Sequence, residues 1–326
     1  MNGENAIKRD KRNLLTIIIP AFNEENVLPE FHRRLDAALS GEHLELEIIY
    51  VNDGSTDGTL TFLNELAERD KRVSVIDLSR NFGKEIAMTA GLDHASGDAA
   101  VVIDADLQDP PELITKMIEE WRNGYDVVYA QRTIRKGEGV IKKFTANAFY
   151  RVMQNMGDVR LPKDTGDFRL LSRQALDPLL KMREQHRFMK GLFTWIGYKQ
   201  TPVYYERDPR YAGTTKWNYW RLWNFAIEGI TSFTTAPLKM SSYLGLAAAF
   251  GAFVYGVFIV VQTLVYGNPV PGYPSLIVVI LFLGGVQLLS IGILGEYLGR
   301  IFNETKNRPL YLVKKYTPSE NSSRID

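Results

Sequence analysis

The chain lacks cysteine, has few histidines and carries almost no net charge, and each shortage excludes a class of function. Without cysteine there is no disulfide, no thiolate metal ligand and no cysteine nucleophile. The four histidines are scattered and form no metal-ligand pattern. A formal net charge of +1 over 326 residues provides no general attraction to nucleic acid. Residues 1–13 are polar and do not resemble a secretory signal peptide, so we expect the N-terminal domain to stay in the cytosol.

Charged residues are also absent from a long stretch near the C-terminus. Between Met240 and Gly295 there is no Asp, Glu, Lys, Arg or His. The turn-rich segment 267–274 divides this stretch into two apolar runs of about 20 residues, long enough for helices that cross a bilayer. Two buried core helices are the alternative, but uncharged segments of this length are rare in soluble cores. We therefore predict a transmembrane hairpin over 240–300.

Basic residues flank this hairpin on one side only. The loop between the two runs is uncharged, whereas these cations lie outside them: Lys239, Arg300, Lys306, Arg308, Lys314 and Lys315. By the positive-inside rule, both termini and the domain that precedes the hairpin should be cytoplasmic. The sequence thus predicts a multi-pass protein of the inner (cytoplasmic) membrane.

The first half of the chain alternates strand and helix patterns. Strand-like runs occupy 14–19, 46–51, 73–78, 99–103 and 126–130, and helical patterns occupy 24–39, 59–69, 84–94 and 112–123. Such alternation predicts an α/β fold with a mostly parallel sheet and helices on both of its faces. The Gly-rich signatures of dinucleotide-binding and P-loop proteins are missing, so both classes lose support.

Acidic residues follow several of the predicted strands. Asp104 and Asp106 come directly after the run 99–103, and two carboxylates at a strand end suit Mg²⁺ or Mn²⁺ bound to a nucleotide diphosphate. An ordinary turn is the alternative, because Asp is common after strands. Polar segments 20–25 and 52–59 follow the first two strands and should reach the same crevice, although 52–59 could simply cap a helix.

Two further segments carry aromatic and basic residues in a helical rhythm. Residues 140–156 begin with basic side chains, and Trp217, Trp220 and Trp223 recur at the spacing of one helix face. Tryptophan beside cations favours the membrane interface, and the second segment leads directly into the first apolar run. A core-packing aromatic stripe is the alternative. We predict amphipathic interface helices here.

Seven motifs together resemble one known family. They are IPAFNEE (19–25), VNDGSTDGT (51–59), SRNFGK (79–84), DADLQD (104–109), DTGDFRLL (164–171), RYAGTTKW (210–217) and GEYLGR (295–300). Their order resembles glycosyltransferase family 2, and the last three with the hairpin resemble its polyprenyl-phosphate glycosyltransferases, which include bactoprenol glucosyltransferases and relatives of dolichyl-phosphate mannose synthase. The resemblance implies a Rossmann-like GT-A domain and an inverting, metal-dependent enzyme that uses a nucleotide sugar.

The resemblance also implies roles for individual residues. Those expected to bind the nucleotide sugar are Pro20, Phe22, Glu24, Asp53, Asp104, Arg210 and Lys216. Mg²⁺ or Mn²⁺ should be held by Asp104, Asp106 and Gln108. The expected catalytic residues are Asp106 and Asp167. Asp167 would act either as a base or by orienting the reacting groups. Arg132 and Arg135 resemble the cations that bind the acceptor phosphate. Family members often have Tyr where Phe22 stands, so a hydroxyl contact is lost here.

The expected reaction is the transfer of one hexose from UDP-glucose to undecaprenyl phosphate or a similar lipid. The Gln-x-x-Arg-Trp motif of processive members is missing, which favours single-sugar transfer. GDP-mannose or a UDP-aminosugar as donor is the alternative, and a non-catalytic nucleotide-binding scaffold is a further one. We expect a homo-oligomer, such as a tetramer. The predicted boundaries are a tail (1–13), the catalytic domain (14–216), an interfacial region (217–239), the hairpin (240–300) and a cytoplasmic tail (301–326).

Overall fold

The fold is centred on a mixed sheet of eight strands. The computed structural model describes residues 14–133, 165–206, 235–267 and 272–321. The strands are β1 (Leu14–Ala21), β2 (Glu45–Asn52), β3 (Val73–Leu78), β4 (Ala99–Val102), β5 (Val127–Arg132), β6 (Thr165–Ser172), β7 (Gln200–Tyr205) and β8 (Val313–Thr317). Their order across the sheet is β7-β5-β6-β4-β1-β2-β3-β8. All pairs are parallel except those of β6 with β4 and β5 and that of β8 with β3.

Helices connect most of the strands, as the alternation predicted. They are α1 (Leu28–Leu39), α2 (Thr59–Arg69), α3 (Lys84–Asp93), α4 (Leu113–Arg122), α5 (Arg173–Lys181), α6 (Met189–Trp195), α7 (Ala236–Tyr266) and α8 (Tyr273–Thr305). The five predicted strands and four predicted helices are all present, and the prediction of a mostly parallel α/β sheet is confirmed. Helix α1 begins at Leu28, four residues later than the pattern 24–39 suggested, and a turn in which the amides of Val27 and Leu28 donate to the carbonyl of Glu24 precedes it.

The central strand β1 determines where the core lies. Ile17 and Ile19 point to one face of the sheet, where they pack in the cluster that contains Phe31 of α1. Ile18 points to the opposite face and packs with Met88 of α3. Alternating side chains that are buried on both faces need helices on both sides, which is the arrangement of a doubly wound sheet.

Helix α3 lies unusually close to the sheet, and a glycine permits it. A Cβ atom added to Gly91 would overlap the side chain of Ile18 on β1. The helix packs on β1 and β2, and its first residue, Lys84, lies at the carboxyl edge of the parallel strands.

The antiparallel strand β6 brings a further set of residues to that edge. It pairs with β4 and β5 in the opposite direction, so its first residues lie beside the ends of those two strands. A Cβ on Gly166 would stand 3.5 Å from Nη2 of Arg132, which ends β5. Residues far apart in the sequence therefore meet at one edge of the sheet.

Helices α7 and α8 form a long apolar hairpin. Two segments of the hairpin are strongly apolar, namely Pro237–Tyr266 and Val278–Thr305. The most apolar stretch of each has a mean hydropathy of 2.3, and none of its residues is buried inside the protein. The alternative of two buried core helices is therefore wrong. Both helices are long and apolar enough to cross a membrane.

The chain returns to the sheet after the hairpin. Residues 301–326, predicted as a tail, contain β8, which pairs with β3. The sequence did not indicate this strand, because it is short and basic and its partner lies more than two hundred residues earlier. The two predicted interface segments, 140–156 and most of 217–239, lie outside the described residues.

Candidate active site

The candidate site lies at the carboxyl edge of the parallel strands, where open α/β sheets bind ligands. Four segments meet there: the loop after β4, the end of β5, the start of β6 and the first turn of α3. They contribute respectively Asp104, Arg132, Asp167 and Lys84. The side chains of Asp167 and Arg132 are largely buried, being 10% and 25% exposed. Strong charges are thus concentrated at one place in the fold.

Lys84 joins two of these carboxylates. Its Nζ lies 2.7 Å from Oδ2 of Asp104 and 2.6 Å from Oδ2 of Asp167. Burial acts to raise the pKa of Asp167, but Lys84 and Lys190 outweigh it and hold that pKa below its ordinary value. Burial raises the pKa of Asp104, and Lys84 opposes the rise. Asp167 is therefore the carboxylate that the surrounding cations keep ionised.

The loop after β4 is built around an unusual backbone. Leu107 is buried and adopts a left-handed conformation with φ +58°, which a bulky residue rarely does. Its conformation allows the amide of Gln108 to donate to Oδ1 of Asp106 at 3.1 Å. The Oε1 atom of Gln108 is buried without a hydrogen-bond partner among the described residues, as is Oδ1 of Asp167. These two buried oxygen atoms could therefore contact a ligand bound at this site.

The oxygen atoms present fit a hard divalent cation. The part of the chain that the structure describes contains no cluster of three or more His, Asp or Glu side chains that could hold a metal. Two carboxylates and one amide, as in Asp104, Asp106 and Gln108, would instead form an incomplete shell. Mg²⁺ is commonly bound in this way, through one or two carboxylates with substrate phosphates completing its coordination.

Arg132 is already engaged in a buried network. Its Nε donates to the hydroxyl of Tyr205 at 3.0 Å, and that hydroxyl donates to Asp109. Nη2 of Arg132 lies 3.6 Å from Oδ1 of Asp109. Burial lowers the pKa of Arg132, but Asp109 and Tyr205 outweigh it and raise the pKa above its ordinary value. The guanidinium is therefore a fixed cation beside the loop that follows β4, residues 104–109, which we call the acidic loop.

The loops after β1 (20–25) and after β2 (52–59) are joined by hydrogen bonds, and we call the surface they form the rim. The amide of Asn23 donates to Oγ of Ser55 at 3.0 Å, and Oδ1 of Asn23 accepts from the amide of Thr56 at 2.8 Å. Phe22 lies on this rim with 40% of its surface exposed, which is unusual for a large apolar residue next to a buried strand. Pro20 and Glu24 are half-buried beside it. An exposed ring on a rigid rim is suited to stacking on a planar ligand.

Asp53 organises the loop that precedes α3. It is buried, and its two carboxylate oxygens accept from the amides of Phe82 (2.7 Å) and Gly83 (2.9 Å). The resemblance led us to expect that Asp53 binds the nucleotide sugar. The structure shows a second task for the residue, because both oxygens already bind the backbone of the 80–83 loop. Binding of the nucleotide sugar by Asp53 remains a prediction.

Comparison with known proteins decides the family. The family model described as "Glycosyl transferase family 2" matches residues 16–180, which include the acidic loop and Asp167. A second model, described as "GtrB C-terminal hairpin", matches residues 236–301 and so covers α7 and most of α8. The chain belongs to glycosyltransferase family 2. The resemblance inferred from its motifs is confirmed, and so is the GT-A-like fold.

Relatives of this family 2 glycosyltransferase match it over nearly its whole length. It is 50% identical to the uncharacterized glycosyltransferase sll0501 of Synechocystis sp. over 311 residues, which are 94% of this chain and 98% of that one. It is 48% identical to the SfII prophage-derived bactoprenol glucosyl transferase of Shigella flexneri over 301 residues, or 92% and 97% of the two chains. Glucosyl-3-phosphoglycerate synthase from Mycobacterium tuberculosis, solved with Mn²⁺, UDP and phosphoglyceric acid, is similar at 19% identity, covering 67% of this chain and 76% of that one (TM-score 0.47).

Three charged residues of this glycosyltransferase site were not predicted to act in it. Lys84 lies in the motif 79–84 but received no role, and Glu85 follows it in the first turn of α3. Arg169 is buried on β6, donates from Nη2 to the carbonyl of Gly166 at 2.9 Å and stacks 4.0 Å from the centre of the Phe193 ring. Burial lowers the pKa of Arg169 to about 10. The only feature of the sequence that could have indicated a role for Arg169 is its position as a charged residue between the apolar residues Phe168 and Leu170.

The structure thus brings together most of the predicted site. The segments that meet at one edge of the sheet contain five of the predicted residues: Asp104, Asp106, Gln108, Arg132 and Asp167. Arg135, Arg210 and Lys216 lie outside the described residues, so their roles remain predictions.

Proposed function

We propose that this glycosyltransferase transfers one hexose, with glucose from UDP-glucose as the first choice, to the phosphate of a polyprenyl phosphate. Undecaprenyl phosphate is the first choice of acceptor. The observation that carries the proposal is identity of 47–48% with bactoprenol glucosyl transferases over 92% of this chain, hairpin included. Similarity limited to the catalytic domain would support only the use of a nucleotide sugar.

In the proposed reaction, an acceptor phosphate oxygen attacks the anomeric carbon of the sugar. The bond from that carbon to the UDP oxygen breaks on the opposite face, so the configuration inverts and UDP leaves with the bonding electrons. A divalent cation held by Asp104, Asp106 and Gln108 would stabilise the negative charge of the departing diphosphate. The rest of the nucleotide sugar would be bound by three residues of the rim, Pro20, Phe22 and Glu24, together with Arg210 and Lys216.

Asp167 has no demanding proton transfer to perform in this reaction. A phosphate monoester has a second pKa of about 6, so it is largely a dianion near neutral pH and can attack without a base. Asp167 is held ionised by Lys84 and Lys190, and its buried Oδ1 has no partner among the described residues. We propose that it accepts a hydrogen bond from a sugar hydroxyl and so orients the hexose.

The acceptor explains why the catalytic domain and the hairpin belong to one chain. A polyprenyl phosphate keeps its tail in the bilayer, and withdrawing apolar surface into water costs about 25 cal/mol per Å². We propose that the hairpin holds the domain at the cytoplasmic face of the inner membrane. There Arg132 and Arg135 would bind the lipid phosphate, and segments 140–156 and 217–239 would rest at the interface. Assembly into a homo-oligomer such as a tetramer remains a prediction.

The alternatives differ in the donor or in the absence of chemistry. GDP-mannose or a UDP-aminosugar would use the same carboxylates and the same acceptor. A non-catalytic scaffold would not need the oriented pair of Asp104 and Asp167, nor the strained Leu107 beside the acidic loop. These features favour an enzyme.

A donor panel tests the proposal. Purified full-length protein in detergent would be incubated with undecaprenyl phosphate, Mg²⁺ and one of UDP-glucose, GDP-mannose, UDP-N-acetylglucosamine or UDP-galactose. We expect UDP-glucose to give the highest kcat/KM for lipid-linked sugar. A preference for GDP-mannose would overturn the donor assignment, and no transfer from any donor would favour the scaffold.

A further inference from the structure

The reaction above leaves unexplained the task of Lys84, which lies in the motif 79–84 and at the centre of the site. It is the first residue of α3, and its ammonium lies between a carboxylate assigned to the metal, Asp104, and a carboxylate assigned to the sugar, Asp167. The two distances, 2.7 and 2.6 Å, are those of strong charge-assisted hydrogen bonds.

The local structure works against a cation at this position. The N-terminus of a helix carries partial positive charge, which disfavours a lysine there. The preceding Gly83 has φ +97°, a conformation that essentially requires glycine, although no atom lies near the position of a Cβ. Asp53 then fixes the amides of Phe82 and Gly83. A buried carboxylate and a special glycine thus position a lysine that the helix itself disfavours.

The ammonium and a divalent cation would need the same oxygen atoms. Lys84 occupies Oδ2 of Asp104, one of the carboxylates expected to face the metal. The side chain of Lys84 is 42% exposed, so its long stem has room to move. Asp167 is less exposed, at 10%, and keeps its ammonium contact deeper in the site. The two contacts therefore differ in how easily an incoming ion could displace the lysine.

We propose that Lys84 is a positioning residue that serves as a built-in counter-ion for Asp104 and Asp167 until the metal and the nucleotide sugar bind. When a divalent cation binds, Lys84 would give up Asp104, keep its contact with Asp167 and turn its freed hydrogens to the diphosphate. Without Lys84, the two carboxylates, whose bonded oxygens lie at most 5.3 Å apart (2.7 + 2.6), would repel each other and separate. This inference rests on the proposed metal-dependent transfer.

The proposal predicts opposite effects on metal binding and on turnover when the charge is removed. In Lys84→Met, Mn²⁺ meets no competing cation, so its dissociation constant without nucleotide should fall by about tenfold, the equivalent of one hydrogen bond to a charged group. The kcat for hexose transfer should fall by about tenfold or more, because Asp167 loses the contact that orients it. A purely structural role would weaken both.

The measurement is a titration of the purified full-length protein with Mn²⁺, followed by the EPR signal of free Mn²⁺, alongside kcat and KM for UDP-glucose. Lys84→Gln, which removes the charge but keeps a hydrogen-bond donor, serves if Lys84→Met does not fold. Lys84→Arg should restore much of kcat. Lys116→Met, at an exposed lysine of α4, controls for the loss of a surface charge.

The outcomes separate this inference from the proposed function. Tighter Mn²⁺ binding with slower turnover supports the counter-ion role. If the parent transfers hexose to the lipid but Lys84→Met and Lys84→Gln bind Mn²⁺ equally or more weakly, the inference is wrong and the proposed function stands. If neither parent nor variants bind Mn²⁺, both the inference and the metal role in the proposed function are wrong.

Discussion

At the residue scale, the acidic loop after β4 is where the structure holds conformational strain. A left-handed backbone at a residue such as Leu107 costs on the order of 1–3 kcal/mol, and such strain persists where the surrounding structure enforces it. Here it lets Asp106 accept from the amide of Gln108 while Oε1 of Gln108 stays without a partner among the described residues. The loop thus keeps oxygen atoms ready for a cation.

Replacing Asp106 should remove that cation and the reaction with it. We expect Asp106→Ala to lower kcat by about 100-fold or more, since a bound metal supplies several kcal/mol of charge stabilisation. Its melting temperature should stay near that of the parent, because Asp106 is partly exposed in a turn. EDTA should inactivate the parent reversibly, with recovery on adding Mg²⁺ or Mn²⁺. Full activity in EDTA would contradict the metal role.

The buried carboxyl group of Glu85 should make the stability of the protein depend on pH. Burial, reinforced by Asp167, raises its pKa to about 7 from an ordinary value of 4.5. The folded state therefore binds more protons than the unfolded state between these values, and stability falls as pH rises from about 4.5 to 7. Glu85→Gln keeps an acceptor for the amide of Met189 but cannot ionise.

The melting temperature of Glu85→Gln relative to the parent should therefore rise across that window. We expect the variant to be the more stable protein at pH 8, by on the order of 1–3 kcal/mol, and the two to be closer at pH 5. Differential scanning fluorimetry in detergent at several pH values measures this difference. A constant offset between the two proteins would show that Glu85 does not titrate in this range.

The sequence indicated the carboxylates of the site but not the cations that organise them. Asp104 and Asp106 follow a strand pattern that is readable over five residues. Lys84 meets Asp104 across 20 residues of sequence and Asp167 across 83, so no local pattern connects them. That contact depends on the approach of α3 to the sheet, which tertiary packing determines.

At the element scale, strand β8 joins the end of the hairpin to the catalytic sheet. It pairs with β3, and Ser319 beyond it is buried and donates its amide to Oγ of Ser74 at 2.9 Å. The hydroxyl of Tyr311 donates to Asp93 at 2.8 Å. The strand thereby covers an edge of the sheet that would otherwise expose unpaired backbone groups.

Deleting residues 313–326 should destabilise the catalytic domain. Loss of the β3 pairing and of the Ser319 contact removes several hydrogen bonds of about 1 kcal/mol each, so we expect the melting temperature to fall by about 5 °C or more. The exposed edge of β3 should also promote aggregation. Deletion of 322–326 alone controls for chain length. Equal melting temperatures for both deletions would show that β8 is dispensable.

The strands of the first half were predictable because each is a mostly apolar run between turn residues. Strands β6 and β7 were missed for a different reason: β6 places Asp167 and Arg169 inside the sheet, and β7 is an edge strand with exposed positions. Their pairing with distant strands, rather than local propensity, selects the extended conformation.

At the scale of the whole molecule, the distribution of charge predicts how the chain lies in a membrane. Lys239 precedes the hairpin, and Arg300, Lys306 and Arg308 come at or after the end of the second apolar run, whereas no charge lies between the two helices. The last turn of α8 contacts the catalytic domain, since the amide of Gln185 donates to Glu304 at 2.7 Å. We therefore predict that the catalytic domain lies on the side of the membrane where α8 ends.

Cysteine labelling tests this topology in a chain that has no cysteine of its own. Asn268→Cys in the loop of the hairpin should react with an impermeant maleimide in intact cells, because we expect that loop to face outward. Ser322→Cys should react only after the cells are opened. The reverse labelling would place the catalytic domain outside and would contradict cytoplasmic transfer.

The most direct test of the whole account is the mass of the lipid product. Purified protein would be incubated with UDP-glucose, Mg²⁺ and undecaprenyl phosphate, and the extracted lipid analysed by mass spectrometry. We predict one product that carries one hexose and one phosphorus atom, with UDP released in equal amount, and no such product from Asp106→Ala. A lipid with two phosphorus atoms, a chain of several hexoses, or free glucose without lipid product would contradict single-hexose transfer to a polyprenyl phosphate.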